Sequence, residues 1–188
     1  MSAMAMRHLA LLRGINVGRN KRIAMADLRD LVRALGYTEV TTHLQSGNVL
    51  LTAAEEPATL AQEIQGAISR ELALEVSVLV RTQRELDRVV EKNPLAGIAK
   101  DPTRLLIAFL SVPPQREWFT AAGIELDDTM LGMGSQELYI WCPDGILASP
   151  ILAALGRVKQ PGLVATSRNL RTVTKLQELI RVRPISTG

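Results

Sequence analysis

The chain has 188 residues, of which 47% are hydrophobic and 22% charged, so its composition is that of an ordinary globular protein. Its single cysteine, Cys142, excludes an internal disulfide and indicates a reducing compartment, and apolar runs such as residues 105–109 are too short for a membrane-spanning helix. The first residues lack the apolar core and cleavage pattern of a signal peptide, so we expect a cytoplasmic protein with no membrane partner.

The net charge of +3 is unevenly distributed along the chain. Residues 1–22 hold five cations and no acidic residue, residues 157–188 hold seven cations and one acidic residue, and residues 23–156 hold ten cations and eighteen acidic residues. Basic ends on an acidic body favour localised anion binding over a uniformly basic surface. The alternative is that both ends are only solvated.

Apolar spacing and turn residues predict the elements of the first half. Thr82, with Glu85 three residues later, forms a capping box at the start of the last of these helices. In chain order the predicted elements are a strand at 7–13, a helix at 25–35, strands at 38–44 and 48–53, a helix from 57 to about 72, a strand at 75–80 and a helix to about 92.

The second half repeats this order without sequence identity to the first. The predicted elements are a strand at 104–112, a helix after Pro113-Pro114 to about 122, strands near 124–131 and 136–142, a helix near 149–157, a strand at 162–166 and a helix at about 170–182. Residues 93–103 are rich in Pro, Gly and polar residues and are the predicted linker.

Each half therefore has a β-α-β-β-α-β order followed by a helix, which favours an α+β protein made of two ferredoxin-like subdomains. We expect the first subdomain and its linking helix over residues 1–92, and the second subdomain with the C-terminal helix over 104–188. In this topology the third strand lies between the first and second strands, which are then about 10 Å apart. The loop after the first strand and the hairpin at 45–47 should be neighbours at one end of the sheet.

Three segments are similar to motifs of a known family: LLRGINVGRNKRI at 11–23, VTTHLQSGNVLL at 40–51 and ATSRNLRTVTKL at 165–176. In this order they resemble the bacterial domain-of-unknown-function 1697 family. The resemblance implies a stand-alone cytoplasmic chain with two ferredoxin-like halves and implies no activity. Leu170 stands where the family often has an aromatic residue, and Leu95 stands where it often has Phe, which weakens a role in base stacking.

The segment RGINVGRNK is the first candidate site for an anion. Gly14 and Gly18 can take positive φ and allow a ligand close to backbone N–H groups, while Arg13, Asn16 and Lys21 supply charge and polar groups. A helix N-terminus follows, which also favours an anion. The spacing is neither that of a P-loop nor that of a dinucleotide fingerprint, and the alternative is a long loop that needs glycine to turn.

The hairpin segment is the second candidate. A tight turn accounts for Ser46, Gly47 and Asn48, but it does not require an amide at Gln45. Gln45, Ser46 and Asn48 can each present polar groups to a ligand.

The start of the last helix is the third candidate, with Arg168, Asn169, Arg171 and Lys175. Ser167 or Asn169 is predicted to cap this helix. Cations at a helix N-terminus oppose the helix dipole, which indicates an anionic ligand or an acidic partner. The alternative is docking against the acidic middle of the chain.

These segments together predict a phosphate-bearing ligand, either a nucleotide or a nucleic acid, in one basic cleft formed by the three motifs. Two alternatives stay open. One is an enzyme acting on a phosphorylated small molecule, with Arg13, Lys21 and Arg171 holding phosphate and Asn16 or Gln45 orienting the substrate. The other is a protein-interaction module without a small ligand.

No catalytic residue stands out in the sequence. His8 and His43 both lie in predicted strands and the chain has one cysteine, so we expect no metal site and no cofactor. Cys142 is predicted to be a buried, inert thiol, and Asp127-Asp128 a solvated turn. The sequence therefore indicates neither a particular reaction nor an oligomeric state.

Overall fold

The computed structural model describes residues 4–17 and 21–182 of the chain. The strands are β1 (Met6–Leu12), β2 (Thr38–His43), β3 (Asn48–Ala53), β4 (Val78–Thr82), β5 (Leu105–Leu110), β6 (Leu131–Met133), β7 (Glu137–Trp141) and β8 (Ala165–Asn169). The helices are α1 (Met25–Ala34), α2 (Pro57–Leu72), α3 (Gln83–Glu91), α4 (Glu117–Thr120), α5 (Pro150–Leu155) and α6 (Leu170–Arg181), with a 3₁₀ turn over Ile146–Ala148.

The chain divides into two compact units. The first unit consists of the described residues up to Asp87 together with those from Lys175 onward, and the second unit consists of residues Arg88–Thr174. The first unit contains a four-stranded sheet in the order β2-β3-β1-β4, and the second a four-stranded sheet in the order β6-β7-β5-β8. All strand pairs are antiparallel. This is the strand order of a ferredoxin-like βαββαβ unit, so the predicted α+β fold with two such halves is confirmed.

The core of the first unit lies between one face of its sheet and helices α1 and α2. Ala10 and Leu12 of β1 face Leu28 and Val32 of α1, and α2 adds a stripe that includes Ile64. Each fully buried aliphatic side chain of this kind stabilises the fold by about 1.5–3 kcal/mol. The packing fixes the end of β1 and the start of α1, and so fixes both ends of the loop between them.

The core of the second unit is built in the same way. Ala108 and Leu110 of β5 pack with Phe119 of α4 and with Ile151 and Leu155 of α5. No helix within residues 4–17 and 21–182 is long and apolar enough to cross a membrane.

The two units share details that the sequence pattern did not reveal. A buried arginine occupies the same place in the last strand of each sheet, Arg81 in β4 and Arg168 in β8. The next residue caps the following helix, and its side-chain oxygen accepts from the backbone N–H three positions on, at 3.2 Å for Thr82 and 2.9 Å for Asn169. The Glu85 carboxylate accepts in turn from the backbone N–H of Thr82, so the predicted capping box is confirmed.

Three strands begin later than the sequence predicts. β4 begins at Val78 rather than at residue 75, because α2 ends with Ala73 in a left-handed conformation and the chain needs the next residues to reach the sheet. β6 is reduced to Leu131–Met133, because Asp127 accepts bonds from Thr129 and turns the chain before it. β8 covers Ala165–Asn169, where buried polar residues conceal the apolar alternation that strand prediction requires.

Candidate functional site

The loop between β1 and α1 runs from residue 13 to residue 24 and is anchored on both sides. Ile15 and Ile23 are 2% and 4% exposed and belong to the core of the first unit. Gly14, Asn16 and Lys21 take left-handed conformations, with φ of 68°, 55° and 50°. The predicted need for conformational freedom at Gly14 is therefore confirmed. Two non-glycine residues, Asn16 and Lys21, adopt the same left-handed conformation.

The side chain of Asn16 closes this loop. Its Oδ1 accepts from Ile23 N at 2.9 Å and its Nδ2 donates to Ile23 O at 3.0 Å, while its backbone N donates to Lys21 O at 3.0 Å. The same Nδ2 donates to Gln45 O at 2.7 Å and so joins the loop to the hairpin. The described parts of the loop, residues 13–17 and 21–24, are therefore held by hydrogen bonds within the protein, each contributing about 0.5–1.5 kcal/mol net.

The hairpin between β2 and β3 packs directly against the start of this loop. Leu12 N donates to Gly47 O at 2.9 Å. Gly47 has φ of 80°, and a Cβ at this position would lie 2.7 Å from Ile15 Cδ1 and 2.8 Å from Leu12 Cβ. Only glycine fits here, and the predicted neighbourhood of loop and hairpin is confirmed.

Asn48 holds the hairpin from within. It is fully buried, and its Nδ2 donates to His43 O at 2.8 Å and to Ser46 Oγ at 3.1 Å. Gln45 is exposed at the turn, and its backbone oxygen is the atom that accepts from Asn16. Of the three predicted hairpin residues, Gln45 is thus the one whose side chain lies at the surface without a described structural bond.

The loop also contacts the segment that precedes β4. Arg13 N donates to Ser77 O at 2.9 Å, and Lys21 Nζ donates to Glu75 O. The side chains of Arg13 and Lys21 are exposed. Sequence reasoning missed this contribution because residues 75–80 alternate like a strand, which conceals the non-strand residues before Val78. Gly18 lies outside the described residues.

Arg168, in the third motif, is a buried residue of the second unit. It is 8% exposed, and its Nη1 donates to Thr166 Oγ1 at 2.9 Å and to Ser167 O at 2.8 Å. Burial lowers the pKa of the Arg168 guanidinium to about 10. These contacts give Arg168 a structural role within its own sheet.

The other members of this motif are also engaged, with one exception. Asn169, rather than Ser167, caps α6. Lys175 Nζ pairs with Glu178 Oε2 at 2.9 Å on the exposed face of α6. Arg171 is exposed, and its one bond to the described residues is made by the backbone, with N donating to Pro102 O at 3.1 Å.

The structure thus brings the first two motifs together at one end of the first unit. Arg168, Asn169 and Arg171 belong to the second unit. The convergence of this third motif with the other two stays a prediction.

Two further reactive groups, Cys142 and His8, are buried. Cys142 is 2% exposed, and burial raises the pKa of its thiol. His8 is fully buried, its Nδ1 lies 3.0 Å from Met6 O, its Nε2 has no hydrogen-bond partner among the described residues, and burial lowers its pKa. Within residues 4–17 and 21–182, no three His, Cys, Asp or Glu residues lie close enough together to hold a metal ion.

Comparison with known proteins agrees with the fold. The model of a family described as protein of unknown function (DUF1697) matches residues 6–139. A solved structure, that of the conserved bacterial protein SP0830 from Streptococcus pneumoniae, superposes with a TM-score of 0.76 at 22% sequence identity and covers 95% of this chain and 100% of its own. At this identity the likeness shows the fold alone. No curated protein matches the chain.

Proposed function

The chain belongs to the DUF1697 family, and we propose that it binds a phosphate-bearing ligand, a nucleotide or a nucleic acid, where the loop after β1 meets the β2–β3 hairpin. We call this surface the basic tip and define it as residues 13–17, 21–23 and 44–48. The observation that carries the proposal is the Asn16 side chain, which joins the two described ends of a cationic loop to each other and to the hairpin.

Preorganisation supports the proposal, because residues 13–17 and 21–23 are already held by hydrogen bonds and core contacts, and groups held in this way lose little conformational entropy when a ligand binds. The loop contains non-glycine residues in left-handed conformations, Asn16 and Lys21, and at Lys21 this conformation raises the free energy of the folded chain by about 1–2 kcal/mol. Hydrogen bonds from Asn16 and the buried anchors Ile15 and Ile23 offset this. Retaining such a shape at an exposed, polar surface is typical of a binding site.

Charge supports an anionic ligand. Among the described residues, neither Arg13 nor Lys21 forms an ion pair. Lys21 donates to a backbone carbonyl, and its ammonium group has two further donors. Phosphate oxygens accept charge-assisted bonds from guanidinium and ammonium groups, and such bonds are about twice as strong as neutral ones.

The hairpin adds polar groups to the same basic tip, since Gln45 O accepts from Asn16 of the loop. The Gln45 side chain is exposed one residue from Ser46, and the Gly14 backbone is exposed in the loop. An amide side chain and backbone N–H groups can bond phosphate or ribose oxygens without adding charge. The proposed division of roles is therefore Arg13 and Lys21 for phosphate, and Gln45 for orientation.

The proposal is tested by calorimetric titration of the full chain with ATP and with inorganic tripolyphosphate at low ionic strength. The double variant Arg13→Gln/Lys21→Gln removes two positive charges but keeps long polar side chains. We expect each substitution to weaken binding about tenfold, the usual effect of losing one charged hydrogen bond. The dependence of log affinity on log salt should fall by about one for each cation removed.

A matched control removes the same charge elsewhere. Arg84 and Arg88 are exposed on α3, which begins after Thr82, the residue of β4 that pairs with His8 at the far end of β1 from the loop. Arg84→Gln/Arg88→Gln should leave both affinities within about twofold. Equal losses in the two double variants, or no binding of either anion by the wild-type chain, would refute the basic tip as a phosphate site.

A further inference from the structure

The two units have corresponding strand orders, so the connections between their strands and helices can be compared. In both units the last residue of the first strand donates its backbone N–H to the hairpin. Leu12 N donates to Gly47 O in the first unit, and Leu110 N donates to Gln136 O in the second. In the second unit the next residue, Ser111, closes the loop through its own hydroxyl, which bonds the chain just before β8. The second unit therefore forms the same type of sheet with only a short connection, residues 111–116, after its first strand.

Both corresponding connections are longer in the first unit. Its loop between the first strand and first helix spans residues 13–24, against 111–116 in the second unit, and its hairpin connection spans 44–47, against 134–136. These two longer connections include two apolar side chains that are exposed, Val17 at 72% and Leu44 at 53%. Each is next in sequence to a residue of the Asn16–Gln45 bridge, so both lie at the basic tip.

Leu44 is an unexpected residue at its position. Its φ is 60°, a left-handed conformation that glycine and asparagine take far more readily than leucine. Its exposure means that packing in the core does not explain the side chain. A leucine that is both strained and exposed at the basic tip, which also holds Arg13 and Lys21, indicates contact with a ligand that has an apolar part and an anionic part.

We infer that the ligand of the basic tip is a nucleoside phosphate, with its base packed against Leu44 and Val17 and its phosphates on Arg13 and Lys21. The inference rests on the proposed function and specifies its ligand. Bases offer flat apolar faces that apolar side chains cover, and phosphates complement the two unpaired cations. A free nucleotide and a nucleic acid strand share this chemistry.

The test compares anions with and without a base. The four ribonucleoside triphosphates and inorganic tripolyphosphate are titrated into the full chain, and we expect at least one nucleotide to bind about tenfold more tightly than tripolyphosphate. Leu44→Asn suits the left-handed backbone and removes the apolar contact. It should weaken nucleotide binding about fivefold and leave tripolyphosphate binding unchanged. Val17→Thr, which retains the shape of the side chain, should act in the same direction.

Leu147→Asn is the matched control, because Leu147 is fully exposed on the 3₁₀ turn of the second unit. It should change no affinity. Tripolyphosphate binding as tight as nucleotide binding, or equal weakening of both by Leu44→Asn, would overturn the inference and leave the proposed function standing. Binding of neither anion would instead refute the proposed function. A short oligonucleotide that binds more tightly than every mononucleotide identifies a strand as the source of the ligand, and the reverse order identifies a free nucleotide.

Discussion

Replacing Gly47 by alanine tests whether the hairpin and the loop are one packed structure. The added Cβ would lie 2.7 Å from Ile15 Cδ1 and 2.8 Å from Leu12 Cβ. Both neighbours belong to the core of the first unit, so neither can move away freely. The substitution therefore pushes the hairpin away from the loop at the point where Leu12 N donates to Gly47 O.

The expected loss of stability has two parts. Alanine at the φ of 80° found for Gly47 costs about 1–2 kcal/mol more than glycine, and overpacking of this kind costs about 1–3 kcal/mol more. Gly14→Ala is the matched control, since Gly14 also has positive φ, 68°, but no atom of the described residues other than its chain neighbours lies within 4 Å of the position that a Cβ would take there. Gly14→Ala should therefore lose only the first part.

Urea unfolding followed by circular dichroism measures this difference. We expect Gly47→Ala to lower the free energy of unfolding by about 2–5 kcal/mol, and Gly14→Ala by about 1–2 kcal/mol. Gly47→Ala should also weaken anion binding at temperatures where the chain stays folded, because it displaces the hairpin side of the basic tip. Equal losses of stability in the two variants would refute the close packing of hairpin and loop.

Three further predictions concern other residues. Asn16→Gly keeps the left-handed backbone but removes the amide, so it should lower the free energy of unfolding by about 1–3 kcal/mol and weaken anion binding; an unaltered affinity would show that the loop needs no bridge to the hairpin. Because burial lowers the pKa of His8 below 6.5, the unfolded chain binds a proton that the folded chain does not, and stability should fall as pH drops below about 6.5. His8→Leu should have a flatter stability profile between pH 7 and 5, and parallel profiles would contradict this. Arg168→Ala should lower the unfolding free energy by about 2–4 kcal/mol, since it empties a buried, hydrogen-bonded position, and a variant of wild-type stability would show that Arg168 is not structural.

The fold was largely predictable because local signals agree with the global pattern in the first unit. Helix α2 begins at its predicted proline and ends at its predicted leucine, Pro57–Leu72, and β3 covers the predicted residues, Asn48–Ala53. The capping box at Thr82 is a local motif, so its geometry follows from spacing alone.

Prediction was weaker where tertiary contacts decide the structure. β8 includes Thr166 and Arg168, whose burial depends on partners in the folded sheet rather than on hydrophobicity. β6 is short because a side-chain-stabilised turn at Asp127 takes residues that propensity assigns to a strand. Neither effect has a periodic signal in the sequence.

For the site, topology predicted more than residue type. The neighbourhood of loop and hairpin followed from the strand order, and the Asn16 bond to Gln45 confirms it. The role of Asn16 did not follow, because an asparagine in a loop can face a ligand as well as the backbone. The exposed apolar pair Val17 and Leu44 was also missed, since exposure depends on the conformation of the turn.

The most direct test of the basic tip is a titration of isotope-labelled chain with inorganic tripolyphosphate, followed by backbone amide chemical shifts. The amides of Gly14, Asn16, Lys21 and Gly47 should shift together, with one saturation curve. The amide of Ser111, at the corresponding place in the second unit, should not shift. Saturable shifts confined to the second unit, or no saturable shift at the four tip amides, would contradict phosphate binding at the basic tip.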